Sequence, residues 1–153
     1  MECKQLVVFN VQNERYGINI EQVSAIEKDQ NVSRIPNSMD YIKGIINLRG
    51  DIIPVFDLKK KFKLEGVTKS ATAQLIIVKV YDIQIALEVD NVEEIFNVAE
   101  GQMMDVPKIC VNPETACFVG VIREKGGLII QIDANKLFTK EEIERITEVI
   151  NAE

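Results

Sequence analysis

An internal repeat constrains this chain more than any other feature. Leu6-Val7-Val8-Phe9 with Val11, then Gly17-Ile18-Asn19-Ile20-Glu21-Gln22-Val23-Ser24-Ala25-Ile26, recurs as Leu75-Ile76-Ile77-Val78 with Val80, then Ala86-Leu87-Glu88-Val89-Asp90-Asn91-Val92-Glu93-Glu94-Ile95, at a uniform offset of 69 residues. Farther on, Gly44-Ile45-Ile46, Gly50, Ile52-Ile53, Phe56-Asp57 and Phe62 recur at an offset of 76 as Gly120-Val121-Ile122, Gly126, Leu128-Ile129, Ile132-Asp133 and Phe138. Both copies carry a proline between these blocks, Pro36 and Pro107. The chain therefore reads as one domain, 1–153, made of a duplicated module spanning 6–62 and 75–138.

Each module has the spacing of short antiparallel strands. Leu6 to Val11 and Arg15 to Ile20 flank the polar turn Gln12-Asn13-Glu14, and Leu75 to Val80 and Ile83 to Val89 flank Tyr81-Asp82. These predict hairpins with one buried face. Second hairpins are expected around Arg49-Gly50 and around Lys125-Gly126-Gly127, with glycine supplying the positive φ. Pro54 lacks an amide donor, which predicts a strand edge or bulge there. Closely spaced antiparallel strands favour small barrels over a βαβ sheet, one barrel per module of about 70 residues.

The connections are polar or irregular. Asn37 to Ile42 has room for one helical turn, Lys63 to Ala73 has linker composition, and Asn97 to Cys117 reads as an irregular loop holding Pro107 and Pro113, with room for one strand. Thr139-Lys140-Glu141-Glu142 is a capping box that opens a C-terminal helix over 139–151, with Ile143, Ile146 and Ile150 on one face.

Composition removes several classes of function. Eighteen basic against twenty-four acidic residues give a net charge of −6, which disfavours nucleic-acid binding. The one basic cluster, Lys59, Lys60, Lys61 and Lys63, reads as a solvated strand exit or a guard against edge pairing. Apolar runs are too short to span a bilayer, and the first residues lack a signal pattern, so no direct membrane insertion is expected. Cys3, Cys110 and Cys117 show no metal-ligand spacing and suit a reducing, cytoplasmic setting. Histidine is absent, which removes the usual general base and the commonest metal ligand. No catalytic residue, cofactor or metal site is expected, and the paired Asp57 and Asp133 are explained by turn geometry. The short ends, without linkers, favour a complete chain.

A contact surface remains. Val23 and Val92 are repeat-equivalent, and each precedes an isoleucine, Ile26 or Ile95, by three positions. Modules packed about a pseudo-twofold axis would bring them to a shared apolar groove suited to an amphipathic helix; ordinary core is the other reading. Arg49, held between two strands, is a candidate for recognition or for a structural ion pair.

The block Gly44-Ile45-Ile46-Asn47-Leu48-Arg49-Gly50-Asp51-Ile52-Ile53-Pro54-Val55-Phe56-Asp57-Leu58, with Phe9 and Tyr16-Gly17-Ile18-Asn19-Ile20 before it, resembles the CheW family of chemotaxis coupling proteins, and the likeness runs from about Leu6 to Phe138. The resemblance implies a mainly β fold of two SH3-like five-stranded β-barrels around a shared core, with short helices including a C-terminal one. It implies a non-catalytic adaptor that couples the cytoplasmic tip of chemoreceptors to the regulatory domain of the histidine kinase CheA, recruited from the cytoplasm to membrane-associated receptor arrays. By position, Val23 and Val92 match the receptor-binding groove, with Ile26 and Ile95 beside them, and Gly44 and Arg49 match positions important for coupling. Many members carry a glutamate at the position of Ala25 that can pair with the arginine of the Leu-Arg-Gly turn. Here Glu27, two residues on and on the same strand face, is available instead, while Glu94 keeps the acid in the second repeat. A CheW-like scaffold of another chemosensory pathway and a small-ligand-binding barrel are the alternatives. The last is weakened by 6% aromatic residues and no tryptophan.

Overall fold

Each repeat opens with a hairpin closed by a two-residue turn. In the computed structural model, which describes residues 4–35, 40–64, 72–112, 115–124 and 127–152, β1 (Lys4–Val11) pairs with β2 (Glu14–Asn19) and β6 (Gln74–Val80) pairs with β7 (Ile83–Val89). Gln12 and Asn13 (φ 52° and 66°) and Tyr81 and Asp82 (φ 46° and 70°) take the left-handed conformation that matches the twist of the flanking strands. Cys3, the stretch around Pro36, most of the linker, Pro113 and the Lys125-Gly126 turn lie outside the described residues.

The expectation of one buried face per hairpin is corrected. Along β1, Val7 and Phe9 join a central apolar cluster, while Leu6 and Val8 join a second cluster with Ile122 and Ile129. Along β6, Ile76 and Val78 join the same central cluster, while Leu75 and Ile77 face a third cluster with Ile46 and Ile53. Both strands are buried on two faces, which is why they read as continuous apolar runs rather than alternating ones.

A second correction concerns how the repeats divide the fold. After β2 the chain leaves its own sheet: β3 (Val23–Lys28) pairs with β6 of the other repeat, and β8 (Asn91–Val98) pairs back onto β1. The remaining strands are β4 (Ile42–Leu48), β5 (Asp51–Asp57), β9 (Met103–Met104), β10 (Phe118–Glu124) and β11 (Gly127–Ile132). The sheets run β8-β1-β2-β11-β10-β9 and β3-β6-β7-β5-β4, so each SH3-like barrel mixes both repeats. The central cluster fills the space between them, and the other two clusters fill their interiors.

Closure follows one plan in both barrels. The chain beyond β3 returns so that Ser33 bridges Ile45 of β4, and β9 returns so that Met104 pairs with Val121 of β10. Ile45 and Val121 are repeat-equivalent, so the closing contacts are too. β5 is an inner strand, and Pro54 is tolerated because the parallel ladder to β7 covers only Val55 to Asp57.

The lysine cluster is neither a free strand exit nor an edge guard. Asp57 caps a helical turn, α1 (Leu58–Lys61), by accepting from the amides of Lys59 and Lys60 at 2.9 and 3.4 Å. Lys59 pairs with Asp90 at 3.0 Å and Lys61 with Glu142 at 3.2 Å, both in the second half of the chain. The C-terminal helix α2 (Lys140–Ala152) starts with the capping box: the Glu142 amide donates to Thr139 Oγ1 at 3.1 Å, and the Thr139 amide to Glu142 Oε1 at 2.9 Å. Ile143 and Ile146 enter the central cluster, and Tyr41 Oη also donates to Glu142. One carboxylate thus ties α2 to the segments on either side of β4 and β5. The side chain of Ile150 lies outside the described residues.

Candidate functional site: the open margin of the shared core

Strand register decides which side chains of β3 and β8 can meet. Val23 lies opposite Val78 and Ile26 opposite Ile76, while Val92 lies opposite Phe9 and Ile95 opposite Val7. All four partners belong to the central cluster, and cross-strand neighbours share a face. Val23, Ile26, Val92 and Ile95 therefore line the same shared core, two from each barrel. Because Val23 pairs with the repeat image of Phe9, and Val92 with Phe9 itself, the two strands are related by the internal twofold.

Burial separates the four. Val23 and Val92 are half-buried and pack against the central cluster. Ile26 and Ile95 are 40% and 53% exposed, which is unusual for isoleucines on a core-facing side of a strand. A bulge in each strand, at Ser24 and at Glu93, lifts the chain between its valine and its isoleucine. Apolar surface continuous with the core is left open along this margin.

Gly44 and Arg49 sit elsewhere, on β4 and its turn. Gly44 is buried with φ +151°, and a Cβ there would lie 2.1 Å from the Ser33 carbonyl oxygen. Its place is explained by barrel closure, since Ser33 is the residue that bridges Ile45. Arg49 is itself left-handed (φ 54°), as is Gly50 (φ 90°), so the turn needs positive φ at both positions and not at the glycine alone. The Asn47 side chain accepts from the Gly50 amide at 3.0 Å and stabilises this geometry. Arg49 Nη2 meets Glu27 Oε1 at 3.2 Å, so the acid two residues beyond Ala25 is its partner. The arginine side chain remains 76% exposed despite the pair.

Glu94 has a different task. It shares Arg15 with Glu93 and Glu124, at 3.7 Å from Glu94 and 3.4 Å from Glu93, and Glu124 accepts directly from Arg15 Nη1. That hydrogen bond, more than the surrounding charge, holds the Arg15 pKa above its ordinary value. The remaining perturbed groups are explained by burial: the Cys117 thiol is pushed up to about 11 and the Tyr16 hydroxyl to about 12. Among the described residues no group of acids and cysteines is arranged to hold a metal ion.

A second apolar surface was not legible in the sequence. Met104, Val106, Pro107, Phe118, Leu128 and Ile130 line an open groove of about 440 Å³ on the other barrel. In the chain beside it, Ile109 is 93% and Val111 61% exposed. The available signal was two isolated β-branched residues within a proline-bearing loop, where no core called for them.

Two barrels leave apolar surface open, beside the shared core at Ile26 and Ile95 and in the groove at Met104 and Leu128, which is the kind of surface that marks contact with another protein. Comparison with known proteins narrows the class. The CheW-like domain profile matches residues 5–142. Chemotaxis protein CheW of Klebsiella aerogenes is 31% identical over 146 residues, 95% of this chain and 88% of that protein. CheW of Bacillus subtilis is 31% identical over 138 residues, 90% of this chain and 88% of that protein. The crystal structure of the scaffolding protein TtCheW from Thermoanaerobacter tengcongensis superposes with a TM-score of 0.82 at 37% identity, covering 90% of this chain and 93% of that one. This chain belongs to the CheW-like domain family.

Proposed function

We propose that the protein is a non-catalytic adaptor of chemotaxis, coupling the cytoplasmic tip of chemoreceptors to the regulatory domain of CheA. The observation that carries this reading is the open margin of the shared core: Ile26 and Ile95 stand exposed beside half-buried Val23 and Val92 on strands related by the internal twofold. A receptor tip is a bundle of amphipathic helices, and an apolar stripe of one helix fits such a margin. The groove of Met104, Phe118 and Leu128, flanked by exposed Ile109, is a separate apolar surface and is assigned to the kinase side. Arg49, largely exposed at the end of β4, serves coupling between the two. The protein works in the cytoplasm, recruited to receptor arrays; no helix among the described residues is long and apolar enough to cross a membrane.

Calorimetric titration with a receptor-tip fragment and with a CheA regulatory domain tests the reading. Micromolar or tighter binding is expected for interfaces of moderate size. Ile26→Asp is the better probe of the receptor margin, because Val23 packs on the core and a charge there costs stability as well. Silence with both partners, or full receptor binding by the Ile26→Asp protein, refutes the proposal.

A further inference from the structure

One side chain breaks the apolar interior of the barrel built on the six-stranded sheet. Among the described residues Gln131 of β11 alone carries a carboxamide or a charge to core depth, at 5% exposure. It stands two residues beyond Ile129 and so on the same face of the strand, that of the second cluster. Its neighbours across the ladder are Gly17 of β2 and Gly120 of β10, which have no side chain to bond it. The Gln131 side-chain oxygen is out of solvent and has no hydrogen-bond donor among the described residues. The other repeat shows the apolar alternative: its counterpart Val55 lies between Gly44 and Ala86 and is fully buried in the third cluster. A buried acceptor without a donor costs stability that a valine there would not.

The same side chain lines a pocket of about 420 Å³ at the ends of β1, β2 and β11, a volume within the range of small-molecule sites. Three of the polar residues around it are already satisfied by local bonds. Asn19 accepts from the Glu21 amide at 3.0 Å, Gln22 donates to Asp133 at 2.9 Å and accepts from the Ala134 amide at 3.1 Å, and Asp133 also accepts from the Asn135 amide at 3.0 Å. Left over are Gln131 at the floor and exposed Lys4, Glu21 and Lys136 at the rim, whose charged groups have no partner among the described residues.

We infer that this pocket binds a small zwitterion of the amino-acid or dipeptide class: its ammonium donates to Gln131 Oε1 and to Glu21, and its carboxylate pairs with Lys4 and Lys136. An acceptor at the floor calls for a donor, and two ammonium groups at the rim call for an anion; a zwitterion supplies both in one molecule. The last torsion of a glutamine side chain is broad, so the oxygen turns to meet the donor. The pocket shares no residue with the isoleucine margin or with the groove of Met104, so a ligand here and a docked protein do not compete for the same groups.

Heteronuclear NMR titration of the full chain with L-alanine and with L-alanyl-L-alanine tests the site. Saturable shifts are expected in the Gln131 side-chain amide and in the backbone amides of Asn19 and Val119, with a Kd of about 1 mM or tighter for at least one of the two. N-acetyl-L-alanine, which lacks the ammonium, and L-alaninamide, which lacks the carboxylate, are each expected to bind about tenfold more weakly. Glu21→Gln, a change on an exposed side chain, is expected to weaken binding about fivefold. Gln131→Val, which copies the other repeat, is expected to remove binding and to raise the urea midpoint. Binding by the Gln131→Val or the Glu21→Gln protein equal to the parent's, or equal binding of the acetylated and amidated controls, overturns the inference. So does the lack of a saturable shift with either zwitterion, and a raised midpoint for Gln131→Val would then show that solvent alone serves the amide.

Discussion

Gly44→Ala tests whether the glycine before the Leu-Arg-Gly turn serves closure of the barrel or contact with a partner. At φ +151° an L residue is strained, and the added Cβ falls 2.1 Å from the Ser33 carbonyl oxygen and 2.6 Å from Val32 Cγ1. The obstruction is backbone, and it is held in place: the Ser33 carbonyl accepts from the Ile45 amide at 2.8 Å, and the Ser33 amide donates to the Ile45 carbonyl at 2.9 Å. Relieving the clash means breaking both bonds. Backbone strain of about 1–3 kcal/mol and two hydrogen bonds of about 1 kcal/mol each give a loss of about 3–5 kcal/mol. A domain of this kind has about 5–15 kcal/mol in all, so the variant is folded but weakened, or partly unfolded. Urea titration followed by far-ultraviolet circular dichroism measures the loss without a tryptophan reporter. Two other glycines calibrate it. Gly50 has φ +90° and nothing within 4 Å of an added Cβ, so Gly50→Ala registers strain alone, about 1–2 kcal/mol. Gly120, the repeat counterpart of Gly44, meets only the side chain of Met103 at 2.9 Å, a flexible thioether able to swing aside. A loss below about 1 kcal/mol for Gly44→Ala, or a ranking below Gly50→Ala, refutes the closure account.

Arg49→Ala is expected to abolish coupling in a reconstituted receptor–kinase assay while lowering stability by less than about 1 kcal/mol, because the arginine side chain is 76% exposed and holds Glu27 through a single 3.2 Å contact; a large fall in melting temperature would make the pair structural. Burial raises Cys117 from 9.0 to about 11 and Tyr16 from 10.0 to about 12, so the neutral forms favour the folded state. That contribution is fully present below about pH 9 and is lost as pH rises through the folded values, on the order of 2 kcal/mol for each group. Denaturant midpoints should therefore be flat through neutrality and fall above pH 9, and a midpoint still flat at pH 11 would contradict the assignment. Iodoacetamide at neutral pH should modify exposed Cys110 and spare buried Cys117 until urea is added, as mapped by mass spectrometry; equal rates at the two sites would show that the buried thiol is open to solvent.

Much of the fold was legible because duplication supplies an internal check. Hairpins, turn positions and the capping box are set by residues within a few positions of one another, and each motif but the last occurs twice. The exchange of β3 and β8 was not legible for the same reason: with Val23 and Val92 equivalent, sequence cannot say whether each strand pairs with its own repeat or with its copy. Burial on both faces of β1 and β6 was written in their unbroken apolar runs, yet it makes sense only once two barrels press on one core. Lys59 and Lys61 looked solvent-bound because their acids, Asp90 and Glu142, are remote in sequence. For the candidate site, type and spacing picked out two valines and two isoleucines that the strand register places on the shared-core side of β3 and β8. Strand alternation made Glu27 a candidate partner of Arg49 without deciding it, and the 3.2 Å contact across the turn decides it. Leu128 and Ile109 were missed because an exposed apolar residue has no periodicity to announce it.

Strand exchange also ties the two barrels to each other. Since the chain passes directly from β2 in one barrel to β3 in the other, and from β7 back to β8, each barrel is anchored to the first strand of the other's sheet. Glu142 adds a third tie by bonding Lys61 and Tyr41 from the helix that follows the last strand. The exposed isoleucines beside the shared core and the groove beside Ile109 are thus carried on two barrels tied together by the chain and by Glu142. Burying Ile26 and Ile95 would require the two sheets to close over them, and the bulges at Ser24 and Glu93 hold the strands apart at that point. The same irregularity that breaks the β ladder accompanies the exposed apolar surface.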